Sequence, residues 1–111
     1  MTDIYAVKVT AQAQEQIREI AHYIAMELQA PDAASDLLDK LETAIVSLGE
    51  FPCRVALTDE EPWRSNGVRR LPVKNFLVYF WVDEEHAKVQ VTAVIYAKRH
   101  QKRILSQMDM E

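Results

Sequence analysis

Two stretches in the first half of the chain repeat apolar residues at spacings of three and four. The first stripe runs from Ala13 to Leu28 and the second from Ala34 to Leu48. This spacing places the apolar side chains on one face of a helix. Pro31 separates the stripes, since proline ends one helix and is tolerated in the first turn of the next. The pattern predicts two long amphipathic helices that pack as an antiparallel hairpin.

The residues around these stripes suit the ends of helices. Thr10 stands just before the first stripe, where threonine is a good N-cap residue. Asp32 favours the first turn of the second helix, because a negative charge there complements the helix dipole. Gly49 follows the second stripe and is typical of the residue just beyond a helix end.

The second half of the chain has the shorter patterns of β-strands. Phe76–Val82 is apolar at every position, which predicts a central strand covered on both faces. Val68–Val73 is also β-leaning, but Pro72 cannot donate to a ladder and so indicates an edge strand or a bulge. The last strand pattern, Val89–Tyr96, alternates, which predicts one face formed by Val89, Val91, Ala93 and Ile95.

A short β-leaning segment at residues 4–9 precedes the first helix, so the predicted order is β-α-α-β-β-β. A helical hairpin packed on a small, mainly antiparallel sheet is an α+β fold. We expect a single domain over residues 1–111, because 111 residues with 49% hydrophobic content suffice for one core. From about residue 97 the chain continues as a basic tail, predicted to form a short helix.

Composition excludes several classes of protein. No window approaches the roughly 18 apolar residues of a membrane span, and the opening MTDIY lacks the pattern of a signal peptide. Cys53 is the only cysteine, so no internal disulfide can form and a reducing cytoplasm is the expected location. Cys53 and the three histidines lack a metal-ligand spacing, and we expect neither a metal nor a cofactor.

The net charge of −4 hides an asymmetry between the two halves of the chain. Residues 1–50 carry nine acidic and three basic side chains, whereas residues 51–111 carry eight acidic and ten basic ones. Most of these bases fall in two short stretches, Arg64, Arg69, Arg70 and Lys74, and then Lys98, Arg99, Lys102 and Arg103. Because the sequence pI is about 5.4, any contact with nucleic acid would have to be local.

Several segments in this order resemble the RelE/ParE superfamily of toxins from type II toxin–antitoxin modules. They are IYAVKVTAQAQEQIREIAHYI, LGEFP, GVRRLPVKNFLVYFWV and VIYAKRHQKRIL, which together span about residues 4–105. The resemblance implies a small cytoplasmic toxin that inhibits growth, contributes to plasmid stabilization, and is neutralised by a cognate antitoxin in a hetero-oligomer. It implies no membrane partner.

The superfamily contains two activities. RelE-like members cut mRNA in the ribosomal A site, whereas ParE-like members inhibit DNA gyrase by binding it and are not nucleases. RelE-like enzymes keep a tyrosine a few residues past the arginine of the last strand, but Ile104 and Leu105 stand there in this chain. This departure, the low pI and the long helical hairpin favour the ParE-like activity. The alternatives are a ribosome-dependent mRNA endonuclease and a non-toxic, partner-binding domain of the same fold.

An endonuclease of this kind would use the 2′-OH of its RNA substrate and would need cations, a base and an acid. By resemblance, the candidates to neutralise the phosphate charge are Arg99 and either Arg69 or Arg70. The candidates for proton transfer are His100 and Tyr96. Additional contacts to the substrate or target are expected from the remaining bases, Lys74, Lys98, Lys102 and Arg103. The simpler interpretation is that these residues are solvated charges and an ordinary strand-end aromatic.

The antitoxin has two predicted surfaces on this chain. One is the acidic helical hairpin, which suits a partner with basic or mixed residues. The other is the edge strand that contains Pro72, where a partner could add a strand and cover the arginines with acidic residues. The chain's own acidic run, residues 59–61, is interpreted as a solvated loop.

Overall fold

The computed structural model describes residues 4–97, 108 and 110. It contains two helices, a four-stranded sheet and a short 3₁₀ turn at Pro52–Arg54. The elements in chain order are β1 (Ala6–Val9), α1 (Ala11–His22, continued by a π-helical segment, Tyr23–Glu27), α2 (Pro31–Ser47), β2 (Arg69–Val73), β3 (Phe76–Asp83) and β4 (Lys88–Tyr96). The predicted β-α-α-β-β-β order is confirmed.

The sheet has the strand order β1-β4-β3-β2. Strands β2, β3 and β4 form an antiparallel meander, and β1 pairs with β4 in parallel. The sheet is therefore mainly antiparallel, as predicted, and β2 with Pro72 lies at its edge. Within the described part of the chain, no helix is long and apolar enough to cross a membrane.

The helix ends lie where the sequence predicts them, at Thr10 and at Gly49. The Thr10 hydroxyl accepts a hydrogen bond from the backbone N–H of Ala13 at 3.2 Å and caps α1. Helix α2 ends at Ser47 with Leu48 as its C-cap, so Gly49 is the residue just beyond the helix end, as predicted. The first residue after α2 in the left-handed conformation is Phe51, with φ of 47°. Glycine also permits a close approach here, because a Cβ at Gly49 would lie 3.1 Å from the carbonyl oxygen of Tyr5.

The sheet is covered on both faces by separate apolar clusters. On the helix face, α1 and α2 pack against Val78, Phe80 and Val91. On the opposite face, here called the far face, Tyr79 and Ile95 pack with Met108, and Trp63 from the loop before β2 lies against them. Successive residues of β3 thus enter different clusters, which confirms that it is a central strand covered on both sides.

A β-bulge at Thr92 changes the faces of β4. Tyr79 pairs with Ala93 and Phe80 pairs with Val91, so Thr92 has no partner on β3. The extra residue shifts the alternation, because a bulge opposes two residues to one. The prediction of a single face holding Val89, Val91, Ala93 and Ile95 is therefore wrong: Ala93 and Ile95 belong to the far face. The Thr92 hydroxyl donates to the Tyr79 carbonyl oxygen at 3.3 Å and contacts the Met108 sulfur at 3.2 Å.

Candidate functional site

The two adjacent arginines of β2 lie on opposite faces of the sheet. Arg69 pairs with Phe80, whose side chain is in the helix-face cluster, and Arg70 pairs with Tyr79, whose side chain is in the far-face cluster. Side chains of consecutive strand residues point in opposite directions. The two side chains therefore leave the strand on opposite faces of the sheet, and their guanidinium groups contact different partners, Val55 and Glu60.

Arg69 holds the segment that follows α2. Its Nη1 donates to the carbonyl oxygen of Val55 at 2.6 Å and to that of Cys53 at 3.4 Å. In addition, Leu57 forms an isolated antiparallel bridge with Arg69. The side chain and the backbone of Arg69 thus both fasten the loop before β2 to the edge of the sheet.

Arg70 is neutralised by acidic residues of the same loop. Its Nη1 lies 3.3 Å from Glu60 Oε2, and its Nη2 lies 3.8 Å from Asp59 Oδ2. The Glu60 side chain is only 10% exposed, and it also accepts a hydrogen bond from the Thr58 hydroxyl. The interpretation of residues 59–61 as a solvated loop is therefore wrong for Glu60, whose carboxylate is held between Arg70 and Thr58.

Tyr79 completes this buried network on the far face. The residue is 2% exposed, and burial together with the nearby Glu60 carboxylate raises the pKa of its hydroxyl, while hydrogen bonds with Arg70 and Thr58 act in the opposite direction. A hydroxyl with a raised pKa and almost no solvent access stays protonated and is poorly placed to take a proton from a substrate. We call this set of Arg70, Glu60, Thr58 and Tyr79 the Arg70 network.

A phosphate that approached Arg70 would have to displace the carboxylates of Asp59 and Glu60. Arg64 strengthens the same arrangement, since its Nη1 lies 3.7 Å from Asp59 Oδ1 and donates to the Thr58 carbonyl oxygen at 3.3 Å. The arrangement suits a clamp that holds the loop on the sheet. It presents little free positive charge to a nucleic acid.

Tyr96 lies at the end of β4 on the helix face. Its ring packs against Phe76 with a centroid distance of 5.3 Å and an interplanar angle of 47°. Arg70 is on the other face, and Arg69 pairs with Phe80, four residues along β3 from Phe76 and so about 13 Å away. The structure therefore does not bring Tyr96 together with either arginine.

Lys74 is exposed in the turn between β2 and β3, where it adopts a positive φ of 56°. The other predicted site residues, Lys98, Arg99, His100, Lys102 and Arg103, lie outside the described residues, as do Ile104 and Leu105 of the predicted tail helix. Their roles stay predictions. Among residues 4–97, 108 and 110, no group of three or more His, Cys, Asp or Glu side chains is arranged to hold a metal ion.

The sequence did not reveal a cleft between α1 and the ends of β3 and β4. This α1–β4 cleft encloses about 590 Å³. Its lining is mostly apolar and consists of Gln16, Glu19, Ile20, Tyr23, Ile24, Leu28, Asn75, Phe76, Val94, Ile95 and Tyr96. Leu28 belonged to the predicted buried stripe, yet it is exposed together with Tyr23 and Met26.

Comparison with known proteins agrees with this architecture. Residues 7–104 match the family model described as the ParE toxin of type II toxin–antitoxin systems, parDE. A search among curated proteins gives no match.

Solved toxin structures share the fold at low sequence identity. A chain of the chromosomal ParDE system from P. aeruginosa superposes with a TM-score of 0.66 at 20% identity, covering 86% of this chain and 98% of that one. The free, doubly arginine-to-alanine mutant of E. coli RelE superposes with a TM-score of 0.64 at 16% identity, covering 94% of this chain and 93% of that one. A chain of the RelBE2 toxin–antitoxin complex from Mycobacterium tuberculosis superposes with a TM-score of 0.58 at 19% identity, covering 84% of this chain and 98% of that one.

These structural likenesses show the fold, and the family model, which matches nearly the whole chain, shows the kinship. The matched range, residues 7–104, includes both helices and all but the first residue of the four-stranded sheet. The chain belongs to the ParE toxin family, within the RelE/ParE superfamily of type II toxin–antitoxin modules.

Proposed function

We propose that this protein is a toxin that inhibits DNA gyrase by binding to it, and that a cognate antitoxin neutralises it in the cytoplasm. The observation that carries this proposal is the match of residues 7–104 to the ParE toxin model. A toxin of this kind acts through protein contacts and needs no general acid or base of its own.

The state of the arginines supports binding over RNA cleavage. Arg70 is paired with Asp59 and Glu60, and Arg69 donates to backbone carbonyl groups. Stabilisation of a crowded phosphate needs cations that are free to approach it. In the described part of the chain, neither β2 arginine meets that requirement, and Tyr96 lies far from both.

The overall charge points the same way. Affinity for nucleic acid rests largely on neutralised phosphates, so it favours proteins with a strongly basic surface. This chain has a net charge of −4, and the helical hairpin carries most of the acidic excess. A protein target is more compatible with that charge than the RNA of a ribosome.

The antitoxin is proposed from the family and from the relatives. The matched family is that of the parDE systems, and the structures from P. aeruginosa and Mycobacterium tuberculosis are of a toxin–antitoxin system and a toxin–antitoxin complex. By analogy, this chain forms a hetero-oligomer with the product of a small neighbouring reading frame.

The direct test is to induce the chain in bacteria and to follow which synthesis stops first. Pulse labelling with thymidine and methionine separates arrest of replication from arrest of translation. Early loss of thymidine incorporation with filamentation, relieved by co-expressed antitoxin, supports the proposal. Early translation arrest with cleaved mRNA supports the endonuclease instead, and unaffected growth supports a non-toxic binding domain.

A single variant sharpens this test. Tyr96→Phe removes only the hydroxyl and keeps the ring that packs on Phe76. An endonuclease that used this hydroxyl as an acid or base would lose at least tenfold in rate. We expect Tyr96→Phe to be as toxic as the wild type, and a tenfold loss of toxicity at equal expression would contradict gyrase inhibition.

A further inference from the structure

Three large apolar side chains are exposed at the junction where the end of α2 meets the segment before β1. Ile4 is 68% exposed, Val46 is 67% exposed and Phe51 is 61% exposed. Ile4 forms an isolated antiparallel bridge with Glu50, the residue before Phe51. The last turn of α2 reaches the same junction, since the N–H of Gly49 donates to the carbonyl oxygen of Val46 at 3.0 Å. We call Ile4, Val46 and Phe51 the Phe51 patch. Exposed apolar side chains grouped in one place are typical of a surface that another molecule covers.

Phe51 adopts a backbone conformation that its own side chain disfavours. Its φ of 47° and ψ of 54° lie in the left-handed region, which glycine and asparagine adopt readily and bulky residues rarely do. Pro52 follows, and the residue before a proline normally adopts an extended conformation. A residue strained in this way persists only where the surrounding structure fixes it, and such residues cluster at functional sites.

The backbone around Phe51 is fixed on both sides. Before it, the N–H of Tyr5 donates to the carbonyl oxygen of Gly49 at 2.7 Å. After it, Nη1 of Arg54 donates to the carbonyl oxygens of Glu50 at 2.7 Å and of Phe51 at 3.1 Å. The exposed ring is therefore presented on a rigid frame. A preorganised aromatic side chain loses little conformational freedom on binding, and such side chains act as anchors of protein interfaces.

The charges around the Phe51 patch are mostly negative. Three exposed carboxylates border it: Glu42 one turn before Val46 on α2, Glu50 within the junction, and Glu84, whose Oε1 lies 3.7 Å from Sγ of Cys53. Among the described residues, none of these three carboxylates forms an ion pair. Arg54 carries the opposing charge at the junction, so the border has three acids to one base. A partner with lysine or arginine side chains complements it.

A second copy of this chain does not fit the Phe51 patch. A two-fold symmetric contact places the same surface on both subunits, so Glu42 and Glu50 of one copy would face the same residues of the other. Like charges brought together in this way oppose association. The charge pattern therefore favours a different molecule, with an apolar pocket for the ring of Phe51 and basic side chains around that pocket.

We propose that the Phe51 patch is the surface with which the toxin contacts its protein target. The ring of Phe51 inserts into an apolar pocket of the target, and basic side chains around the pocket pair with Glu42, Glu50 and Glu84. A topoisomerase presents basic surfaces to hold DNA, because affinity for DNA rests largely on neutralised phosphates. The inference rests on the proposed function, since that function names the target.

Two pairs of variants test the patch, each with a matched control toward the other end of the hairpin. Phe51→Asn removes the ring and suits the left-handed backbone, and Gln29→Asn changes another exposed residue with a positive φ, of 51°. Glu50→Lys reverses a charge of the border, and Asp36→Lys reverses an exposed charge about 15 Å along α2 from Val46. The probe is purified DNA gyrase, titrated by calorimetry against each variant, and growth after induction is measured in parallel.

We expect Phe51→Asn to weaken gyrase binding and growth inhibition at least tenfold, because the anchor of the interface is lost. Its melting temperature should equal or exceed that of the wild type, since asparagine tolerates the left-handed backbone. Loss of binding without loss of stability separates an interface anchor from a residue needed for folding. Glu50→Lys should weaken binding several-fold, and this effect should shrink as salt is raised. Both controls should bind within twofold of the wild type.

Binding of Phe51→Asn within twofold of Gln29→Asn would overturn the inference. Thermal melts identify a variant that does not fold, and Phe51→Gly then replaces Phe51→Asn. If the wild type inhibits gyrase and the variants at Phe51 and Glu50 inhibit it as well as their controls do, the patch assignment fails while the proposed function stands. If the wild type neither binds gyrase nor inhibits growth, the proposed function fails and the inference fails with it.

Discussion

Replacement of Arg70 by methionine tests whether the arginine is a clamp or a solvated charge. Arg70→Met keeps an unbranched apolar stem but removes the cation from the Arg70 network. The carboxylate of Glu60, 10% exposed, then keeps only its hydrogen bond with Thr58, and the Tyr79 hydroxyl loses its bond to Arg70. The expected loss of stability therefore comes from buried polar groups that become unpaired.

The magnitude follows from the degree of burial. Removal of one partner of a fully buried ion pair costs about 3–5 kcal/mol, whereas removal of an exposed one costs about 0–1 kcal/mol. The Arg70 side chain is 29% exposed, so the pair lies between these limits and nearer to the buried one. We expect Arg70→Met to lower the free energy of unfolding by about 2–3 kcal/mol and the melting temperature by roughly 10 °C.

Arg18→Met is the matched control, because Arg18 pairs with Glu15 on the surface of α1 with side-chain exposures of 73% and 52%. Its expected cost is below about 0.5 kcal/mol. Urea unfolding monitored by tryptophan fluorescence measures both variants. If Arg70→Met and Arg18→Met lower the free energy of unfolding by the same amount within error, the Arg70 network does not stabilise the loop, and Arg70 would be a solvated charge.

Three further predictions concern local features. Because the pKa of Tyr79 is raised above 10.0, folding favours its protonated form. This stabilisation is complete below pH 10.0 and is lost as the pH rises through the folded-state pKa. Above pH 10, the free energy of unfolding measured in urea should therefore fall more steeply for the wild type than for Tyr79→Phe. Gly49→Ala should cost about 1–2 kcal/mol in thermal melts, because its Cβ meets the backbone oxygens of Tyr5 and Val46 at 3.1 and 3.3 Å; an unchanged melting temperature would contradict this. Lys74→Gly should stabilise the domain by about 0.5 kcal/mol in the same assay, because glycine adopts the φ of 56° without strain; a lower melting temperature would refute this reasoning.

The fold was accessible from sequence because its elements have clear periods. The stripes of α1 and α2 and the uniformly apolar β3 each favour one structure strongly. The bulge at Thr92 could not be predicted, because nothing in an alternating pattern marks which residue will be left without a partner on the neighbouring strand. That single residue moved Ala93 and Ile95 to the far face and so changed which residues share a surface.

The site was less accessible for a different reason. Strand alternation alone places Arg69 and Arg70 on opposite faces, and the sequence contained that information. The partners of Arg70 come from the loop before β2, which has no period, so its path depends on tertiary contacts. The α1–β4 cleft was missed because Leu28 and Tyr23 continue the apolar stripe of α1 beyond the residues that the sheet covers.

We propose that this chain acts on a topoisomerase through protein contacts. The most direct measurement mixes the purified chain with DNA gyrase and relaxed plasmid, and in parallel with ribosomes translating a defined mRNA. We expect supercoiling to be inhibited in proportion to the toxin and to recover when antitoxin is added. We expect the mRNA to stay intact. Cleaved mRNA beside unimpaired supercoiling would contradict it.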